Sequence, residues 1–170
     1  MSPNPSPRRH SLRLKGYDYS QAGAYFITVC TQKRAPLFGH VIETDVCLNE
    51  IGSIVKQSWA DLPNHYSGME LDSFVVMPNH VHGIVILSDE PDRRHGIPEI
   101  VRGFKTFSAR TANGHRWANA ALWQRGYYEH VIRDERGLNR IRTYISNNPA
   151  RWADDPDNIW RAGIAERGRV

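Results

Sequence analysis

Residues 74–87 have the sequence FVVMPNHVHGIVIL, in which two apolar runs are separated by Met-Pro-Asn. Runs of β-branched residues favour strands, and the Pro-Asn pair favours a turn, so this stretch predicts a β-hairpin. Successive side chains of a strand point to opposite faces, so His80 and His82 lie on one face and Val81 lies on the other. Two imidazoles on one rigid face provide half of a divalent metal site.

The sequence around this hairpin predicts four strands and three main helices. Aromatic and β-branched residues predict strands at 25–31, 69–77, 80–87 and 127–133. Apolar residues at helical spacing predict helices from Thr44 or Asp45 to Asp61, from 98 to 112, and from 134 to 148 with Asp134 as its cap. The order strand-helix-strand-strand-helix-strand predicts an α+β, ferredoxin-like (split βαβ) fold, with an antiparallel sheet and helices packed on one face. Its third strand is central, which gives a metal site a stiff support.

Composition narrows the class of protein. The chain has 170 residues, enough for one domain with a sizeable core. Its net charge of +4 and pI near 9.3 favour a polyanionic partner. Two cysteines without zinc-type spacing fit a reducing cytoplasm. No apolar run approaches the roughly 20 residues that span a bilayer, so no membrane association is expected. Basic residues cluster near both ends of the chain: Arg8, Arg9, Arg13 and Lys15, then Arg136, Arg140, Arg142 and Arg151.

Three blocks of the sequence resemble a known family. They are MPNHVH at 77–82, WQRGYYEHVIR at 123–133 and YISNNP at 144–149. In this order they resemble successive blocks of the HUH single-tyrosine transposases, and above all the branch called REP-associated tyrosine transposases. The resemblance spans roughly residues 17–152. Three blocks in the right order are a specific signal, whereas His-x-His alone is weak.

The resemblance implies a ferredoxin-like catalytic domain that nicks single-stranded DNA, often beside a folded hairpin. It implies that Tyr144 is the nucleophile, which becomes linked to the 5′ phosphate while a 3′ hydroxyl is released. It also implies that His80, His82 and Asn148 bind Mg²⁺ or Mn²⁺. The corresponding division of the chain is a disordered, basic and proline-rich tail at 1–12, a transposase catalytic domain at 13–152, and a C-terminal appendage at 153–170.

Spacing supports part of this assignment independently. Tyr144 and Asn148 are four residues apart, so both project from one face of the last predicted helix. If that face lies over the sheet, the phenol and the amide oxygen approach the two histidines. A divalent ion there would polarise a phosphate oxygen and orient the phosphodiester for in-line attack. Imidazole ligands suit softer ions than Mg²⁺, which favours Mn²⁺, and a neutral amide ligand suggests weak metal affinity without DNA.

Simpler interpretations exist for each of these residues. Tyr144 taken alone is more often a core residue than a nucleophile. Tyr127 and Tyr128 are rival nucleophiles, but a strand gives them no metal ligand at helical spacing. His130 shares a strand face with Tyr128, so it is a weak candidate for orienting a phosphate, and core packing explains it equally well.

The DNA contacts and the function have open alternatives. Arg102, Lys105 and Arg125 are candidate DNA-binding residues, although a solvated surface explains each of them as well. The main competing function is a non-catalytic nucleic-acid-binding module on the same scaffold. A sheet that recognises RNA carries aromatic residues on its central strands, and the strand at 80–87 has none. A domesticated enzyme that acts on dispersed repeats would use identical chemistry. The expected partner is single-stranded or hairpin DNA, bound by a monomer or a homodimer.

Overall fold

The central element of the fold is a four-stranded antiparallel sheet. A computed structural model describes residues 16–91, 94–114, 121–155 and 158. The sheet contains β1 (Gly23–Cys30), β4 (Met69–Met77), β5 (His80–Leu87) and β6 (Tyr128–Ile132), in the order β4-β5-β1-β6. The helices are α1 (Glu50–Ala60), α2 (Leu62–His65), α3 (Ile97–Gly114) and α4 (Glu135–Asn147). A separate small hairpin consists of β2 (Gly39–Ile42) and β3 (Asp45–Leu48).

Strand β5 lies at the centre of the sheet, as the sequence predicts. It pairs with β4 on one side, where Met77 is opposite His80, and with β1 on the other, where Cys30 is opposite His80. Strand β6 pairs with the free side of β1. The order and the antiparallel pairing confirm the ferredoxin-like, α+β class, and the predicted hairpin of β4 and β5 is confirmed with them.

The two faces of the sheet bury different sets of side chains. On one face Val81 and Val85 of β5 lie in the main core together with Trp59 of α1 and Phe104 of α3. On the opposite face Ile84 packs against Ile132 and against Ile145 of α4. The expectation of helices on one face therefore holds for α1 and α3, while α4 covers the other face. An apolar stripe on α4 explains this placement, because Leu138, Ile141 and Ile145 pack there.

One predicted boundary is wrong. The helix expected from Thr44 or Asp45 begins instead at Glu50, and the residues before it form strand β3. Two physical features explain the difference. Glu43 has a φ of 55°, which makes the tight turn between β2 and β3. The helix cap is Asn49, whose side chain accepts a hydrogen bond from Gly52 N at 2.9 Å.

Both ends of α4 lie close to where the sequence predicts them. Asp134 caps the helix by accepting a hydrogen bond from Gly137 N at 2.6 Å, and the helix ends at Asn147, two residues before Pro149. A short 3₁₀ helix, Pro149–Asp154, follows. The predicted tail at 1–12 lies outside the described residues, as does most of the appendage at 153–170. Among the helices that are described, none has the length and apolarity needed to cross a membrane.

Candidate active site

The turn before β5 is held rigidly, and this fixes the start of the strand that carries the histidines. Thr31 donates to Asn79 O twice, from its backbone N at 2.9 Å and from its hydroxyl at 3.0 Å. Phe38 N donates to Pro78 O at 3.0 Å. The side-chain amide of Asn79 donates to Arg34 O at 3.1 Å. These bonds anchor the Pro-Asn turn to the segment that follows β1.

His80 and His82 lie side by side on one face of β5, as predicted. Their ring centroids are 4.4 Å apart, and both residues are buried, with 0% and 5% of their surface exposed. His80 Nδ1 is 2.8 Å from Asn79 Oδ1, and an amide oxygen only accepts, so this nitrogen carries the proton. His82 Nδ1 is 2.8 Å from the hydroxyl of Thr28, a residue directly opposite it on β1. Such outer hydrogen bonds orient the rings so that Nε2 faces the site.

Burial keeps both imidazoles neutral near pH 7. It lowers the pKa of His80 to about 4, against the opposing influence of Asp155 and Asn148. It lowers the pKa of His82 to about 2, and the charge of a protonated His80 would add to this effect. A neutral imidazole keeps a lone pair on one nitrogen, and metal coordination requires that lone pair.

Helix α4 delivers Tyr144 to the histidines. The Tyr144 hydroxyl is 3.4 Å from His82 Nε2, and the two ring centroids are 5.3 Å apart. Phe26 of β1 supports the tyrosine ring edge-on, at a centroid distance of 6.0 Å. Tyr144 is 43% exposed, so a substrate can reach it. Burial of its inner side, and next the negative charge of Asp155, raise the pKa of the phenol, which is therefore protonated at neutral pH.

Asn148 closes the inner side of the site. It is 2% exposed and follows the last residue of α4, one helical turn after Tyr144. Its amide group lies close enough to stabilise a charged His80, but its Oδ1 atom has no hydrogen-bond partner. His80 Nε2 is likewise buried without a partner. Buried polar atoms are nearly always paired, so these two acceptors have lone pairs that a ligand could use.

The residues present fit a divalent cation. Two imidazole nitrogens and one amide oxygen form a mixed donor set that suits ions of borderline softness. In the part of the chain that the structure describes, no group of three or more His, Cys, Asp or Glu side chains is arranged to hold a metal. A site at His80, His82 and Asn148 thus depends on the amide as its third ligand, as the sequence analysis predicts.

Two residues beside His80 are not predicted from the sequence. The Trp152 ring lies against it, with centroids 6.1 Å apart. Asp155 is partly buried, and burial raises its pKa against the opposing effects of His80, Arg34 and the Asn148 amide. Both residues come from the end of the described chain, where the sequence has no pattern that indicates a return to the sheet.

The predicted DNA-binding residues Arg102, Lys105 and Arg125 lie away from the histidines. They line a cavity of about 410 Å³ beside α3, a helix that packs on the opposite face of the sheet. Lys105 Nζ donates to three carbonyl oxygens of one loop: Gln124 O at 2.6 Å, Arg125 O at 3.1 Å and Gly126 O at 3.3 Å. Burial lowers the pKa of Lys105. A phosphate would therefore have to compete with these carbonyl oxygens for the Lys105 ammonium group.

Two other predicted residues lie on the histidine face. On β6, Tyr128 is opposite Thr28 and His130 is opposite Phe26, so all four side chains share the face of His82. Tyr127, the other rival nucleophile, packs instead against the main core. The strand at 80–87 has no aromatic residue, as noted from the sequence, but its neighbours in the sheet bring Phe26 and Tyr128 to this face.

Comparisons with known proteins show the family and the fold of the chain. The family model described as IS200-like transposase matches residues 20–148. A protein of Haemophilus influenzae named as uncharacterized is 38% identical over 170 aligned residues, which cover 86% of this chain and 91% of that protein. A second Haemophilus influenzae protein, described as a candidate REP-associated tyrosine transposase, is 26% identical over 146 residues, which cover 79% of this chain and 74% of that protein. A solved structure described as a REP-associated tyrosine transposase bound to a REP hairpin shares the fold, with a TM-score of 0.62, 20% identity, and coverage of 92% of this chain and 87% of that one.

Proposed function

The chain belongs to the IS200-like transposase family, and on this premise we propose that it is a metal-dependent single-stranded DNA endonuclease and strand transferase. The family is one of DNA-cleaving transposases, and the resemblance to its REP-associated branch is confirmed by a relative of that description. The proposal adds the mechanism: a 5′-phosphotyrosine intermediate on Tyr144, formed at hairpin-forming repeat sequences.

The contact between Tyr144 and His82 carries this proposal. The phenol oxygen lies 3.4 Å from the nitrogen of a neutral, buried imidazole, and the same face holds His80 and Asn148 with unpaired acceptor atoms. Tyr144 is 43% exposed, so its hydroxyl is accessible to a substrate beside the two histidines. The arrangement fits a nucleophile held next to a cation site.

The chain's own residues perform defined tasks in the proposed reaction. Tyr144 Oη attacks the phosphorus as the P–O3′ bond breaks; the phenol gives up its proton, and the departing 3′ oxygen takes one up. The products are a 5′-phosphotyrosine and a free 3′ hydroxyl. Attack by another 3′ hydroxyl on the same phosphorus reverses these steps and joins the strands, because the covalent link conserves the energy of the broken bond.

His80, His82 and Asn148 would hold a divalent cation, Mn²⁺ or Mg²⁺, in this reaction. When bound, such an ion supplies positive charge that polarises the phosphate and lowers the pKa of the nearby phenol. Asn79 and Thr28 fix the rings through the two Nδ1 hydrogen bonds, so the ligand geometry exists before the metal binds. Phe26 fixes the ring of Tyr144.

A covalent-adduct assay tests the proposal. The protein is incubated with single-stranded oligonucleotides, with and without a hairpin stem, in Mn²⁺, and the mass of any protein–DNA conjugate is measured. We expect an adduct with the wild-type protein and none with Tyr144→Phe, while DNA binding by that variant is unchanged. Tyr128→Phe is the matched control on the same face and should still form the adduct. An adduct that persists in Tyr144→Phe would refute the assignment of the nucleophile.

Calorimetry tests the metal site without relying on activity. We expect Mn²⁺ to bind the wild-type protein, and to bind it more tightly when DNA is present. The affinity for Mn²⁺ should be lower by about 10- to 100-fold or more in His80→Ala and in His82→Ala. Equal Mn²⁺ affinity in all three proteins would exclude this site. DNA binding without metal binding or adduct formation would favour the alternative of a non-catalytic module.

A further inference from the structure

None of the described helices covers the part of β6 beside the candidate active site. In one row across the sheet His82, Thr28 and Tyr128 are adjacent, and in the next row Ile84, Phe26 and His130 are adjacent. Helix α4 covers Ile84 and Ile132 on this face. Tyr128 is 44% exposed, and His130 is also exposed. The rings of Tyr128 and His130 are thus exposed to solvent on the face of the sheet where Tyr144 lies.

A cavity of about 740 Å³ extends from His130 on β6 to the nucleophile, Tyr144. Its lining includes Phe26 and His130 from the sheet, and Arg140 and Tyr144 from α4. Arg133, at the end of β6, lines it as well. The lining thus combines aromatic rings with two arginines, and it also includes Glu129 and Asp134, whose Oδ1 accepts a hydrogen bond from Gly137 N. In contrast, Arg142 of the same basic cluster is bound to Asp72, with Nη2 and Oδ2 2.7 Å apart.

We propose that Tyr128 and His130 form a platform on which an unpaired nucleobase stacks, next to the phosphate that Tyr144 attacks. Arg133 and Arg140 contact the sugar–phosphate backbone on either side of that base. This inference rests on the proposed function, since it names a subsite for the same DNA substrate. Single-stranded DNA is recognised by the combination present here, aromatic rings for the bases beside cationic groups for the phosphates.

The two arginines of the lining, Arg133 and Arg140, favour DNA over an apolar protein segment as the occupant. Neither Arg133 nor Arg140 has a hydrogen bond or ion pair among the described residues, so both guanidinium groups are available to a phosphate. An apolar peptide would leave both charges unpaired at its edge. His130 is opposite Phe26 in the sheet, and Phe26 contacts Tyr144, so the platform lies beside the contact between Tyr144 and His82, where a phosphodiester is expected. A base on Tyr128 would thus orient the strand that enters the site.

Binding of an abasic oligonucleotide tests this platform. The probes are an oligothymidylate of about a dozen residues and a strand of equal length that lacks every base. Fluorescence anisotropy at one fixed salt concentration gives the two dissociation constants. We expect the wild-type protein to prefer the oligothymidylate by about ten-fold or more. Tyr128→Ala should remove most of that preference and leave the affinity for the abasic strand unchanged, whereas Tyr128→Phe should retain it.

Phe107→Ala is the matched control, because Phe107 is a similarly exposed ring, 37% exposed, on helix α3 on the opposite face. Its base preference should equal that of the wild-type protein. The platform would be refuted if Phe107→Ala and Tyr128→Ala lost the preference for the oligothymidylate equally. It would also be refuted if Tyr128→Ala kept that preference unchanged. Because neither probe needs to be cleaved, the platform can fail while Tyr144 still forms its adduct. Conversely, a missing adduct leaves the base preference measurable, so the two failures are distinguishable.

Discussion

Replacement of Gly83 by alanine should destabilise the protein, because the added methyl group would lie against Trp59, on the face of β5 opposite the histidines. A Cβ atom at Gly83 would overlap Trp59 Cζ2 and lie 2.9 Å from both Cε2 and Cη2 of the same ring. The ring cannot easily move away. It is 2% exposed, stacks on Phe74 at a centroid distance of 4.7 Å, and meets Phe104 edge-on at 5.1 Å.

The expected cost follows from this confinement. Adding one methyl group to a close-packed core costs about 1–3 kcal/mol when the neighbours cannot relax, and three ring atoms within van der Waals contact favour the middle of that range. About 2 kcal/mol corresponds to a fall in Tm of about 4–8 °C for a protein of this size. The added methyl pushes either on Trp59 or on β5 itself. If β5 moves, His82 moves with it, and the affinity for Mn²⁺ should fall as well.

Urea unfolding of three variants provides the measurement. Gly83→Ala should lower the free energy of unfolding, and Trp59→Phe in the same background should restore part of it, because the smaller ring makes room for the methyl group. Gly126→Ala is the control, since a Cβ there meets no atom within 4 Å. If Gly83→Ala unfolds at the same urea concentration as the wild-type protein, the packing argument is refuted.

Three further results are expected. The Arg142 guanidinium holds the pKa of Asp72 at about 2, below its ordinary value of 3.8, so the pair stabilises the fold above pH 4 and its contribution is lost as the pH falls through 2. Asp72→Asn should therefore cost about 1 kcal/mol at pH 7 and clearly less at pH 2, where half of the Asp72 carboxyl groups are protonated in the folded protein; both costs come from urea unfolding, and an equal cost at both pH values would contradict this. Asp134→Ala removes the cap of α4 and should lower the free energy of unfolding by about 1 kcal/mol, measured in the same way; no change would mean that the cap bond is replaced by water. Cys30 is buried and burial raises its pKa, so a thiol reagent should modify Cys47 in the folded protein and Cys30 only after unfolding; equal rates for both would contradict the structure.

The sequence was sufficient to predict the sheet and the histidine pair because both depend on local alternation. The apolar runs around Pro78-Asn79 determine a hairpin, and the period of two determines that His80 and His82 share a face. The spacing of Tyr144 and Asn148 similarly determines that they share a side of α4. Short-range geometry decides each of these features, so a single sequence suffices to predict them.

Features that depend on tertiary contacts were not predictable in this way. The sequence predicts too early a start for α1, because Val46 fits a helical stripe as well as it fits strand β3. The position of α4 on the far face depends on which side of the sheet remains uncovered, and no local pattern encodes that. Asp155 reaches His80 only through the path of the chain after Pro149. The loop whose carbonyl oxygens accept hydrogen bonds from the Lys105 ammonium group is nearly twenty residues away in sequence. No residue near this lysine in the sequence therefore indicates its partners.

Tyr144 meets the histidines of its own chain, and this has a consequence for stoichiometry. On the proposed mechanism, each polypeptide forms one covalent link at a time without borrowing a helix from a second copy. Mixing an inactive Tyr144→Phe protein with an inactive His82→Ala protein should then give no active hybrid, because neither contains an intact pair. Excision of a segment between two cuts would require either two successive turnovers by one molecule or two independent molecules at the two ends.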